Sequence, residues 1–207
     1  MEQQPENRRT LLQFALFGIG GIFSAILGFP IVSYVIDPRN RTGPASNFKL
    51  VEGVKLDDLA ISVPRQGVLR DTRTDGWNLY PNDVIGRVWV VMQGPKPAGL
   101  DTEAKVIEFN EKPAAEKARY LVVFTTICPH LGCSINLNAT GSFTCPCHNA
   151  AFGTDGSLVN LPGQPNPAAR PMDTLEWKID EKDPTFSRIE VKYLNFQPSK
   201  AEKELVG

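Results

Sequence analysis

Apolar and polar positions divide the chain into two zones. From Leu11 to Ile36 runs LLQFALFGIGGIFSAILGFPIVSYVI, 26 residues without a charge, whereas beyond residue 48 apolar residues come in short runs broken by turn residues. At 1.5 Å per residue a 26-residue helix spans about 39 Å, against roughly 30 Å of bilayer hydrocarbon, so the first zone predicts one tilted membrane span over 11–36. Pro30 falls where it kinks the helix or marks its last turns, and Tyr34 suits the membrane interface. The second zone has no long amphipathic repeat and predicts an all-β head of antiparallel strands. Its expected strands are Lys49–Val51, Ile61–Val63, Val88–Met92, Tyr120–Thr125, Ile135–Leu137, Phe143–Cys145, Leu175–Ile179 and Arg188–Tyr193.

Between the zones, Asp37–Asn47 reads DPRNRTGPASN, rich in Pro, Gly, Ser and Asn without apolar periodicity, which marks a flexible linker. Fully extended, such a segment reaches roughly 35–40 Å. Within the head, Gly94–Arg119 interrupts the strand pattern and reads as an inserted excursion carrying a short helix, and the residues from 197 to 207 read as a solvated tail. The expected organisation is therefore a cytoplasmic N-terminus over 1–10, an anchor over 11–36, a linker over 37–47, a β head over 48–196 and the tail.

The chain has 207 residues and a net charge of −1, with no basic stripe of the kind that nucleic acid binding requires, and that class is set aside. Its four cysteines and two histidines all lie between Cys128 and His148. Cysteines used as small core residues would be scattered, so this clustering points to metal binding or disulfide formation. The ligand-bearing residues form two short boxes, Cys128-Pro-His130-Leu-Gly-Cys133 and Cys145-Pro-Cys147-His148, joined by a segment with a Thr140-Gly141 turn that brings them together. Six candidate ligands are two too many for one tetrahedral site, so either two thiols are left over or the extra pair has another role.

These boxes resemble those of the Rieske proteins of quinol-oxidising cytochrome bc complexes, which read C-T-H-L-G-C and C-P-C-H-G-S. The resemblance extends to the anchor, the linker and the head. It implies a Rieske-type [2Fe–2S] cluster in which Cys128 and Cys145 hold one iron, His130 and His148 hold the other, and Cys133 pairs with Cys147 in a disulfide. Neutral imidazole ligands leave their iron easier to reduce and lift the potential above that of all-cysteine clusters. His148 and His130 are thereby the expected catalytic residues, and the outer ring nitrogen of His148 supplies the proton-linked contact to quinol. The implied partners are a cytochrome b-type membrane subunit, a cytochrome c-type heme protein, quinol, and membrane lipid along the anchor.

Arg8 and Arg9 stand in Asn-Arg-Arg-Thr-Leu-Leu-Gln, similar to the twin-arginine signal for export of folded proteins. Charge alone does not orient the span, because Arg39 and Arg41 follow it as closely. A cluster assembled under reducing conditions and a persistent disulfide make opposite demands, which export after folding reconciles. The expectation is a single-pass protein of a bacterial cytoplasmic membrane, with an uncleaved anchor and the head on the extracytoplasmic side.

The chain departs from the family pattern in three places, and the first of them changes the expected chemistry. After His148 come Asn149-Ala150-Ala151-Phe152 where high-potential members have Gly-Ser-x-Tyr, so two hydroxyls that donate to cluster or cysteine sulfur are missing at Ala150 and Phe152. A potential low in the Rieske range follows, suited to a low-potential quinol such as menaquinol. Pro129 replaces the Thr of the first box, a change expected to alter loop rigidity and not ligation. Asn166-Pro-Ala-Ala-Arg-Pro resembles the family's Gly-Pro-Ala-Pro loop that shields the cluster, and Gly153-Thr-Asp-Gly156 reads as a hairpin turn. Two competing readings are the exported Rieske subunit of a molybdenum enzyme such as arsenite oxidase, and a structural Cys₂His₂ zinc site. Zinc leaves the two further cysteines and the export signal without a role.

Overall fold

The computed structural model describes residues 8–40, 47–75 and 78–206. The chain divides into two compact units, Met1–Ala45 and Ser46–Gly207. In the first, α1 runs from Arg8 to Asn40 and continues through Pro30; it is long and apolar enough to cross a membrane once. The helix takes up Asp37–Asn40, the first four residues of the expected linker; residues 41–46 lie outside the described residues, as do residues 1–7 of the expected N-terminal segment.

The second unit is built on a closed antiparallel barrel. Its strands are β1 (Phe48–Lys55), β2 (Arg65–Asp75), β3 (Asn78–Met92), β4 (Leu121–Thr125), β9 (Thr174–Ile179) and β10 (Arg188–Lys192), in the order β1-β10-β9-β4-β3-β2. Between β4 and β9 the chain forms a second, four-stranded sheet of β5 (Asn136–Leu137), β6 (Phe143–Cys145), β7 (Ala150–Phe152) and β8 (Leu158–Val159). Gly94–Arg119 carries α2 (Glu103–Asn110) and α3 (Ala114–Lys117) between β3 and β4, as an insertion with helix was expected to do.

The uninterrupted apolar run at the end of β3 has a structural reason. Side chains alternate across a strand. Val88, Val90 and Met92 enter the barrel core, while Trp89 and Val91 enter a second core beneath the small sheet. β4 divides in the same way, Val123 to the barrel and Phe124 to the second core. The ring of Phe143 closes against both Trp89 and Phe124, at centroid distances of 5.4 and 6.2 Å. The small sheet thus stands on a floor of buried aromatics, Trp89 and Phe124, supplied by the barrel.

Several elements differ from the sequence reading. Ile61–Val63 is no strand: Ile61 makes one isolated bridge to Met92, Ser62 takes φ 60° and Pro64 follows, so extended pairing stops. Strand β2 and the first half of β3 form a long hairpin that is largely polar and exposed, and its charges hide the period. Strands β7 and β8 are too short to show a period at all. The expected solvated tail is exposed for most of its length, yet it folds back on the head: Asn195 pairs with Val206, Phe196 with Leu205 and Gln197 with Glu204.

Candidate metal centre

Two loops at the end of the small sheet carry every candidate ligand. The first follows β4. Thr126 anchors its start, donating from both its amide and its hydroxyl to the Arg87 carbonyl. Ile127 then pairs with Ser134, the Cys128 amide donates to the Cys133 carbonyl at 2.7 Å, and the Gly132 amide donates back to Cys128 at 2.9 Å. Gly132 has φ +80°, a conformation that glycine adopts without strain. These bonds fix a tight loop from which Cys128 points inward.

The second loop is the four-residue turn between paired Cys145 and Ala150. Asn149 sits there at φ +59°. Asparagine is among the few side chains tolerated in that region, so Asn in place of the family's Gly preserves the turn. The hairpin that joins the two loops is closed by Asn138, whose side-chain oxygen accepts from the amides of Thr140 and Ser142.

The two loops are joined covalently by a Cys133–Cys147 disulfide, with Cα atoms 6.6 Å apart. Cys128 and Cys145 remain free and buried. The Cys145 sulfur lies within 4.8 Å of both disulfide sulfurs. Burial pushes the Cys128 thiol up to about 11, with the nearby Cys145 adding to the rise and the amides of His130 and Leu131 opposing it. His130 and His148 meet edge to face, ring centroids 4.7 Å apart at 83°. His130 is half-buried and its Nδ1 is buried without a hydrogen-bond partner among the described residues, whereas His148 is exposed.

This donor set fits a cluster. Buried polar atoms are nearly always satisfied, so the unpartnered His130 Nδ1, on the same loop as the buried Cys128 thiol, is a candidate metal donor. Thiolates at Cys128 and Cys145 with imidazoles at His130 and His148 could hold the two irons of a [2Fe–2S] group. The exposed His148 leaves one ring edge free for a molecule arriving from solvent.

A third loop, between β8 and β9, flanks the site. Asn166, standing where the related loop has Gly, donates to the carbonyls of Ala151 and Val159 and pins this loop to the β7–β8 hairpin. Gly153–Gly156 is the tip of that hairpin, and Gly156 must be glycine twice over: it has φ +78°, and a Cβ there would lie 2.5 Å from the Phe124 ring. Ala150 and Phe152, the two positions without hydroxyls, are completely buried in β7. Asp173 and Ser199 carry no local sequence signal, and Asn166 and Arg170 stand in a loop the sequence marks without revealing what they bond. Their partners lie up to 69 residues away.

Residues 89–177 match the Rieske [2Fe-2S] domain family. The menaquinol:cytochrome c reductase iron-sulfur subunit of Bacillus subtilis is 27% identical over 179 residues, covering 84% of this chain and 87% of its own length. The counterpart in Geobacillus thermodenitrificans is 25% identical with the same coverage. The cytochrome b6-f complex iron-sulfur subunit of Chlorobaculum thiosulfatiphilum is 34% identical over 164 residues, covering 78% of this chain and 66% of its own.

Proposed function

Because this chain carries a Rieske [2Fe–2S] domain of the kind found in cytochrome bc-type complexes, we propose that it is the electron-transfer subunit that takes one electron from quinol and passes it to a c-type heme. The carrying observation is the pairing of one half-buried and one exposed imidazole, His130 and His148, from the two loops that also supply the buried thiols of Cys128 and Cys145.

In this reading Cys128, His130, Cys145 and His148 hold the cluster, and the cluster supplies a one-electron acceptor of raised potential. The remaining work falls to the protein. His148, exposed at the loop tip, accepts a hydrogen bond from the quinol hydroxyl through its outer nitrogen and holds the proton as the electron leaves. The Cys133–Cys147 disulfide keeps the two ligand loops in register. Trp89, Phe143 and Phe152 exclude water from beneath the site.

Menaquinol is the quinol favoured by two independent considerations. Ala150 and Phe152 remove two hydroxyl donors to sulfur, which lowers the potential, and the similar Bacillus subtilis protein is named for menaquinol. The anchor α1 tethers the head to the membrane beside a cytochrome b-type subunit, and the head carries the electron from the quinol site to the heme. Arg8 and Arg9 serve as the export signal that puts the head on the extracytoplasmic face of a bacterial membrane.

The test is electron transfer from a naphthoquinol to a c-type cytochrome, measured in the intact complex purified through this chain. The reading expects turnover that His148→Ala abolishes. Co-purification with a molybdenum subunit in place of a b-type cytochrome contradicts it.

A further inference from the structure

The C-terminal residues form a small hairpin that reaches the first ligand loop. Its strands are held by the Asn195–Val206, Phe196–Leu205 and Gln197–Glu204 contacts, and Phe196 is buried at its base. Its turn touches the loop at consecutive residues. The Ser199 amide donates to the Pro129 carbonyl at 2.9 Å, and the Ser199 hydroxyl donates to the His130 carbonyl at 2.6 Å. The neighbouring Pro198 lies over Gly132, 4.0 Å from where a Cβ would stand.

A second set of bonds ties the hairpin to the proline-containing loop. Arg170, 5% exposed, grips Asp173 through Nε and Nη2 at 2.9 and 2.8 Å. Its remaining donors reach the hairpin: Nη1 donates to the Lys200 carbonyl at 2.6 Å and Nη2 to the Gln197 carbonyl at 2.9 Å. A guanidinium fixed on one side by a buried carboxylate is a rigid fork, so the two carbonyls it holds are rigid as well. The Thr174 carbonyl takes a further bond from Lys203.

The backbone of Ser199 shows what the contact is for. Ser199 has φ +61°, in the left-handed region that serine rarely occupies and glycine enters freely. Strain of that kind persists where surrounding interactions over-determine the residue. Glycine would relieve the backbone and keep the amide bond to Pro129; only the hydroxyl bond to His130 requires serine.

We propose that this C-terminal hairpin is a positioning element of the metal centre: Ser199 holds the ligand loop by the backbone of Pro129 and His130, and Arg170 locks the hairpin to the proline-containing loop. The inference rests on the reading of His130 as a ligand. His130 is only half-buried and its loop ends in exposed Leu131, so a tether on its carbonyl limits how far the imidazole can drift. Ser199 acts through His130 and is not itself a catalytic residue.

The experiment uses the full-length holoprotein and S199G, with release of the cluster into a chelator followed by loss of visible absorbance. The line shape of the reduced cluster in electron paramagnetic resonance is the second readout, and thermal unfolding of the barrel the third. Loss of one hydrogen bond predicts release roughly fivefold faster, an altered line shape, and barrel unfolding equal to wild type. Release and line shape like wild type overturn the proposal, and so does faster release matched by an equal loss of barrel stability. H130A separates the two levels: a cluster retained in H130A overturns the ligand assignment, whereas a cluster lost in H130A but indifferent to S199G overturns the hairpin's role alone.

Discussion

The rings of His130 and His148 stand 4.7 Å apart and nearly perpendicular, one supplied by each ligand loop. Two imidazoles held this close gain little from each other in water, and Nδ1 of His130 has no hydrogen-bond partner among the described residues. A metal group held by both rings, as proposed above, would account for both facts. The expected consequence is that His130→Ala or His148→Ala empties the centre while the barrel, whose core is separate from these loops, still folds. Iron and acid-labile sulfide analysis beside far-ultraviolet circular dichroism checks this; a variant that keeps full iron content removes that histidine from the ligand set.

The disulfide closes a segment with a sequence separation of 14 residues. Closing a loop of about that length is worth roughly 3 kcal/mol through the unfolded chain. Cys133→Ser should therefore destabilise the head by about that amount and speed cluster loss, with the ligands untouched. Denaturant unfolding monitored by tryptophan fluorescence, together with chelator challenge, measures the two effects separately.

Ala150 and Phe152 are completely buried, so a hydroxyl introduced at either position must find a sulfur or stay unsatisfied. Ala150→Ser and Phe152→Tyr should each raise the midpoint potential, by roughly 40 mV if the new bond is worth about 1 kcal/mol to the reduced state. Paired redox titrations of the variants and wild type read the shift directly. Unchanged midpoints would remove the missing hydroxyls as the cause of a low potential.

Asp183, in the turn between β9 and β10, shows how acid should act on the barrel. Burial alone would push its carboxyl up, yet the amides of Ser187, Arg188 and Thr185 and the Thr185 hydroxyl together hold it far below the usual carboxylate range. A carboxyl depressed on folding adds stability above its unfolded value of about 3.9 and loses it as pH falls toward the folded value. Asp183→Asn should cost about 2 kcal/mol at pH 7, and the gap from wild type should narrow steadily below about pH 4. Thermal melts across pH 2–7 give the comparison; a gap constant over that range contradicts the assignment.

The centre was legible in the sequence because its chemistry is local: two boxes within a 21-residue window hold every candidate ligand, and the free pair of cysteines divides from the bonded pair in the structure as the resemblance implies. The barrel was legible wherever strands are buried on both faces, as at Val88–Met92. What escaped has physical reasons. Ser62 and Pro64 break a run whose β-branched ends suggest a strand, and the polar hairpin of β2 and β3 lies in solvent, where hydrophobic periodicity carries no information. Ser199 and Arg170 act on backbone carbonyls, which every residue possesses, so nothing in the sequence of their partners marks the contact.

The most direct test of the account is a redox titration of the purified holoprotein followed by electron paramagnetic resonance. The account predicts a signal of one spin per chain on one-electron reduction, with a midpoint in the lower half of the roughly −150 to +300 mV Rieske range. A midpoint near the top of that range contradicts the menaquinol reading. A colourless protein that binds zinc and gives no signal in any reduction state contradicts the electron-transfer centre itself.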